Sequence, residues 1–216
     1  MPDSVNFDNY TVVACGVLRP EIDFLKQDGF LNTDKILYTA PGLHENVTEL
    51  QKQLKAQINS AKKHSARILT FYGKKCYIDY MDFSRDIDAL ISETNTGAGR
   101  IEANNCVDML VGRDKREEIS SNKKIYWLTP GWLKYWKVIF KDWDRGKANE
   151  TFPQYDKAVI LDALGIFERY SEDSPEKILE FSDWMGVSID AYRISLDRFK
   201  NKIRSALNNL QVIEKA

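Results

Sequence analysis

Short apolar runs alternate with longer amphipathic or polar segments almost to the end of the chain. No other feature limits the fold as much. Strand, helix, strand in succession signals βαβ units and a mostly parallel sheet covered on both faces. Runs at 10–15, 35–39, 66–72, 100–103, 124–128 and 157–162 predict strands. Segments near 20–28, 47–63, 78–92, 106–119, 131–146, 175–185 and 195–210 predict helices. A chain of 216 residues suits one large domain or two small ones. The expectation is a single three-layer α/β domain over 1–216, with a mostly parallel sheet of about five to six strands and helices on both faces. Its motif-bearing part is 10–132, and 133–216 is a more helical part of the same domain. Two looser stretches, 94–99 and 146–155, are too short to require a domain linker.

Several helix starts are legible. Asn46-Val47-Thr48-Glu49 fits a capping box, in which the Asn side chain accepts from helix amides and Glu49 reaches back. Thr129-Pro130 and Ser174-Pro175 each place a capping oxygen before a proline at the first helical position. Gly186 after Trp184-Met185 suits a left-handed C-cap.

Composition excludes some classes of function. The formal net charge of −1 gives no general attraction to nucleic acid or membrane. No apolar stretch approaches the ~20 residues of a membrane span. Residues 1–9 are polar and acidic, unlike a secretory signal. An odd count of three cysteines, without such a signal, argues against a disulfide framework. A cytoplasmic protein with reduced thiols is expected. Nothing in the sequence bears on oligomeric state.

Each cysteine follows a predicted strand, and residues just past the carboxyl ends of parallel strands face one crevice. Cys15 ends the first strand and Gly16 allows a tight turn after it; the alternative for Cys15 is a small buried apolar residue. In Tyr72-Gly73-Lys74-Lys75-Cys76 the two lysines predict a lowered Cys76 pKa, unless they are simply the solvated tip of a loop. Asn105 is a predicted N-cap, which puts Cys106 in a first helical turn where amides favour a thiolate. A buried structural cysteine is the other reading. His44, in the loop Leu43-His44-Glu45-Asn46, is a candidate fourth ligand or proton donor. Three Cys and one His is a recognised set for tetrahedral zinc, and it also suits an iron–sulfur cluster. The compact Cys-x-x-Cys spacing of structural zinc sites is absent. His64, in a charged turn, reads as solvated.

The run Tyr126-Trp127-Leu128-Thr129-Pro130-Gly131-Trp132 is distinctive. Amides beyond Thr129 are a candidate anion or cofactor site. Trp132, Trp136, Ile139, Phe140 and Trp143 share one helical face, which reads as core, or else as a wall for a flat cofactor or a partner. Lys134, Lys137 and Lys141 lie on another face and point to water. Asp86 and Asp88 read as an exposed helix face, and Asp162 as an acid, a ligand or a turn residue. No Walker loop, G-x-G-x-x-G, G-x-S-x-G or H-E-x-x-H occurs.

Ala14-Cys15-Gly16-Val17, Gly42-Leu43-His44, Tyr72-Gly73, Asn105-Cys106 with Leu110-Val111-Gly112, and the run from Tyr126 to Trp132 follow in order. This set resembles the domain-of-unknown-function family 1638 from about Tyr10 to Trp132, and more weakly through Ala158 to Gly186. The resemblance implies a setting in anaerobes and methanogens, beside corrinoid-dependent methyl-transfer proteins, with a corrinoid protein or methyltransferase as partner. Cys15, His44 and Cys106 carry over directly; Lys74 and Lys75 shift Cys76 from the family pattern. Two functional expectations follow. One is a metal or iron–sulfur site with Cys15, Cys76, Cys106 and His44 as ligands, His44 and Cys106 as catalytic candidates, and Gly16, Gly73, Thr129 and Trp132 around the cofactor. The other is a metal-free accessory protein whose tryptophan helix binds a partner. A buried aromatic stripe with clustered thiols favours the first.

Overall fold

The structure is a computed structural model and describes residues 5–7, 10–33 and 35–213. Most of the polar N-terminal segment 1–9 therefore lies outside the described residues. The strands are β1 (Val5–Asn6), β2 (Tyr10–Cys15), β3 (Leu31–Asn32), β4 (Ile36–Thr39), β5 (Arg67–Phe71), β6 (Gly99–Arg100), β7 (Ile125–Leu128), β8 (Lys157–Asp162) and β9 (Ile189–Arg193). The helices are α1 (Arg19–Gln27), α2 (Val47–Ala61), α3 (Ile87–Ser92), α4 (Cys106–Leu110), α5 (Arg113–Ser120), α6 (Pro130–Ile139), α7 (Arg145–Thr151), α8 (Ile166–Asp173), α9 (Pro175–Met185) and α10 (Asp197–Ile213).

The α/β class holds, and every strand pair between named strands is parallel. The described strands are divided between sheets: β4-β2-β5-β6, β7-β8-β9, and the small pair β1-β3. Strand β6 is two residues long, and a Cβ on Gly99 would lie 2.4 Å from Leu210 of α10. Helix α10 thus packs on the face of β6, and β7 belongs to the second sheet.

Period-2 alternation sets the faces of the first sheet. Val12, Ala14, Leu69 and Phe71 enter one core with Leu18, Phe199 and Leu161, the last from β8. Val13 and Ile68 enter another with Leu50, Leu54 and Leu90 of α2 and α3. The second sheet packs Ala158 and Ile160 against Trp132, Leu133 and Phe181 of α6 and α9. Full burial of such a side chain stabilises by about 1.5–3 kcal/mol. Because Leu161 shares a core with β2 and β5, the two larger sheets are packed together.

Local signals succeed where side chains meet the backbone nearby. Asn46 accepts from the Glu49 amide at 3.0 Å, and Gly186 takes φ +70° after α9. Three signals resolve otherwise. Glu49 accepts from Gln53 instead of reaching back to Asn46. Thr129 and Ser174 stand at helix starts without a side-chain cap bond. Segment 78–92 forms only α3, because Asp79 and Asp82 accept from the amides of Met81 and Ser84, turns that compete with helix. Tyr80, Met81 and Phe83 are consequently exposed. The predicted helices 106–119 and 131–146 each break in two, and 146–155 contains α7, capped by Asp144.

A thiol pocket at the strand ends and its adjoining groove

The three cysteines and His44 all lie where one sheet's strands end. Cys15 closes β2 opposite Thr39, the last residue of β4. His44 lies in the 3-10 turn Leu43–Glu45 after β4. Cys76 closes the turn Lys74–Cys76 after β5, and Cys106 opens α4 after β6. Parallel strands bring these βα connections together.

Backbone contacts hold the second and third thiol loops together. The Lys74 and Lys75 amides donate to the Ala103 and Asn104 carbonyls, both at 2.8 Å. Gly73 permits this docking, since a Cβ there would lie 2.3 Å from the Asn105 backbone. Arg100 braces the same loop. Its guanidinium donates to Ile101 O at 2.6 Å and Ala103 O at 3.1 Å while pairing Asp88 at 2.7 Å. Asn105 caps α4 by accepting from the Asp108 amide at 2.9 Å.

Cys15, Cys76, Cys106 and His44 line one enclosed cavity of about 20 Å³, closed by Tyr72 and Phe71. Each thiol is half-buried and has nearby backbone N–H groups that favour its anion. These belong to Val17 and Gly42 for Cys15, Gly73 and Cys106 for Cys76, and Val107 for Cys106. Burial outweighs them. It pushes Cys76 up to about 12, raises Cys15, and raises Cys106 well above the usual thiol range, with the neighbouring thiols adding to the rise for Cys76 and Cys106. The lowered Cys76 and Cys106 pKa values expected from the sequence are thus corrected. Lys74 is drawn to Asp86 at 3.5 Å, and α4 has only five residues over which to sum a dipole. The thiols are protonated at neutral pH. Among the described residues, no three His, Cys, Asp or Glu side chains stand ready as a metal-holding group.

Tyr72 is buried at the pocket wall beside Cys15, its hydroxyl bonded to Thr39. The His44 ring lies 5.3 Å from the Trp132 ring, and its Nε2 is 3.5 Å from Glu45 Oε1. Withdrawal from water lowers the His44 pKa. The side chain keeps 38% of its surface exposed, which limits that lowering.

A second cavity of about 310 Å³ opens beside the first and shares His44, Cys76 and Cys106 with it. Its other walls are Tyr126, Trp127, Trp132 and Tyr155, with Lys75 and Arg116. A larger open cavity of about 770 Å³, past the end of β9, shares no residue with either.

The remaining sequence candidates fall in different places. Gly16 packs at the Thr39 carbonyl and Gly73 lines the pocket. Thr129 is fully buried and lines neither cavity, and its hydroxyl has no partner. The first turn of α6 is pressed against the turn Gly16–Leu18, where a Cβ on Gly131 would meet the Val17 carbonyl at 1.8 Å. Its amides are therefore not open to an anion. Trp136, Phe140 and Trp143 pack among Phe152, Phe181 and Trp184, so the stripe faces the core, with Trp136 and Trp143 partly buried at its edge. Lys134, Lys137, Lys141 and His64 are exposed, as expected. Asp86 caps α3 and Asp88 pairs Arg100, so neither is an idle surface carboxylate. Asp162 accepts from the amides of Leu164 and Phe167, both at 2.9 Å, as a turn residue does.

Sequence reasoning missed Glu21. Its side chain is fully buried, and neither carboxylate oxygen has a hydrogen-bond partner. Burial pushes its pKa up to about 8, and the charge of Asp162 adds to the rise. Nothing local marks it, since Glu in a first helical turn is ordinary.

The chain matches the model of a family described as a protein of unknown function (DUF1638) over residues 38–203. It belongs to that family. The DUF1638 match spans His44, Cys76 and Cys106; Cys15 precedes it. No curated protein and no solved structure matches the chain. No helix among the described residues is long and apolar enough to cross a membrane.

Proposed function

We propose that this DUF1638 protein binds a single thiophilic metal ion, zinc by preference, through Cys15, Cys76 and Cys106. The carrying observation is that three thiols distant in sequence line one enclosed cavity, each with backbone N–H groups beside it. Such donors orient thiolate ligands and stabilise their charge. The cavity of about 20 Å³ suits one ion: a single water needs about 10–15 Å³, and an iron–sulfur cluster needs far more. As placed, the thiols are protonated and do not yet surround a common point. Binding therefore has to release protons and turn side chains inward. His44, partly exposed and engaged by Glu45, is read as a proton carrier at the groove rim instead of a fourth ligand. Bound there, zinc would supply Lewis acidity and an activated thiolate for group transfer. Methyl transfer beside a corrinoid protein is the use that the family resemblance implies, and it rests on that resemblance alone. Most of the aromatic stripe packs into the core, which leaves little of it for a partner surface: Trp132 is buried and Trp136 and Trp143 are partly buried.

The test is metal analysis and visible spectroscopy on protein purified without oxygen. One zinc per chain, lost in Cys15→Ser and Cys106→Ser but kept in His44→Gln, is the expected result. A visible absorption band with iron and sulfide would replace zinc by a cluster. A folded protein that stays metal-free after zinc addition would sink the proposal.

A further inference from the structure

The groove beside the thiols contains cations without counter-charges. Arg116 is half-buried and Lys75 exposed, and both line the groove. Neither side chain has a hydrogen bond or ion pair among the described residues. Five other arginines, Arg85, Arg100, Arg113, Arg145 and Arg198, meet carboxylates. Among the described residues, no carboxylate lines the groove. A partly dehydrated guanidinium without a partner is unfavourable, and its planar fork suits a carboxylate or phosphate.

The remaining walls are mainly aromatic and apolar, with Asn105 among them. Tyr126 stands edge-on to Trp132 and Tyr155, ring centroids 6.5 Å and 5.1 Å apart. Trp127 completes the aromatic wall, and Cys76, Cys106 and His44 form the end that adjoins the thiol pocket. The volume of about 310 Å³ is at the small end of ligand clefts, about 300–1,000 Å³.

We infer that this groove binds a small organic anion, a carboxylate or phosphate carried on a flat body. The anionic group faces Arg116 and Lys75, and the body lies along the aromatic wall toward Cys76 and Cys106. As the substrate class of the thiol site this rests on the reading above, whereas binding itself needs no metal.

The test is calorimetry and tryptophan fluorescence on the full chain, metal-free and zinc-loaded, with benzoate, phenyl phosphate, benzamide and acetate as probes. Benzoate or phenyl phosphate is expected to bind one site about tenfold or more tightly than benzamide, which lacks the charge, and than acetate, which lacks the body. Arg116→Met and Lys75→Met should each erode the preference for the anion while leaving benzamide binding unchanged, with far-ultraviolet circular dichroism checking the fold. Equal binding of benzoate and benzamide by the unmodified protein would overturn the inference without any variant. So would an anion preference that survives both substitutions. Anion binding by a protein that takes up no zinc would remove the metal reading and leave this one standing. Zinc uptake without anion preference would do the reverse.

Discussion

Replacing Gly73 with alanine tests how the thiol loops are held. The φ of −83° and ψ of 150° at Gly73 suit any residue, so the conformation itself predicts no penalty. The penalty comes from proximity. The added Cβ would lie 2.3 Å from both Asn105 Cα and N and 2.4 Å from Asn104 C, more than 1 Å inside ordinary contact. All three atoms are backbone, so no flexible side chain can swing aside. Either the turn Lys74–Cys76 or the loop before α4 has to retreat. Retreat lengthens the two 2.8 Å bonds from Lys74 and Lys75 to Ala103 and Asn104. Overpacking costs about 1–3 kcal/mol, and a backbone hydrogen bond contributes about 1 kcal/mol. Gly73→Ala should thus lose about 2–4 kcal/mol in urea denaturation. It should also weaken zinc retention, because Cys76 and Cys106 lie on the two sides forced apart. A variant within about 0.5 kcal/mol of the parent, the ordinary range of a neutral surface change, would refute the argument from close approach.

Three further outcomes are expected. Glu21 holds its proton more tightly in the folded chain, at about 8, than at its ordinary 4.5. Stability from this group is full below about 4.5 and falls by about 1.4 kcal/mol per pH unit as pH rises to about 8; Glu21→Gln should abolish that slope in denaturation curves across the window, and a slope that persists would acquit Glu21. In metal-free protein, Cys76, pushed up to about 12, should be on the order of 10⁻⁴ thiolate at pH 8. Mass spectrometry should find its iodoacetamide labelling orders of magnitude slower than that of a free thiol and faster as pH rises; a rate like that of a free thiol would contradict its burial. Arg100→Met removes charge-assisted bonds to Asp88, Ile101 and Ala103, so it should cost about 2–3 kcal/mol and loosen the loop before Cys106. A thermal midpoint unchanged from the parent would mean that Arg100 is not the brace.

Local elements and the addresses of the thiols could be read along the chain. The apolar runs at 10–15, 66–72 and 157–162 appear as β2, β5 and β8, because parallel strands buried on both faces read as near-continuous apolar runs. Caps at Asn46, Asn105 and Gly186 form because the partner amide or turn is within a few residues. Cys15, Cys76, Cys106 and His44 were placed at strand ends for the same reason. Strand β9 escaped because most of its residues are exposed, so its apolar pattern is weak. The rest followed from packing between distant segments. The division of the strands between two larger sheets is visible only in the pairing of strands far apart in the chain. Thiol acidity depended on burial among distant segments, which overrode the local lysines and the helix start. Glu21 was stranded without a partner, and Arg116 and Lys75 came to line one aromatic groove, through packing between residues far apart in the chain. Desolvation and charge pairing are set by which atoms surround a group in space, and sequence periodicity carries no record of that beyond a turn or two of helix or one face of a strand.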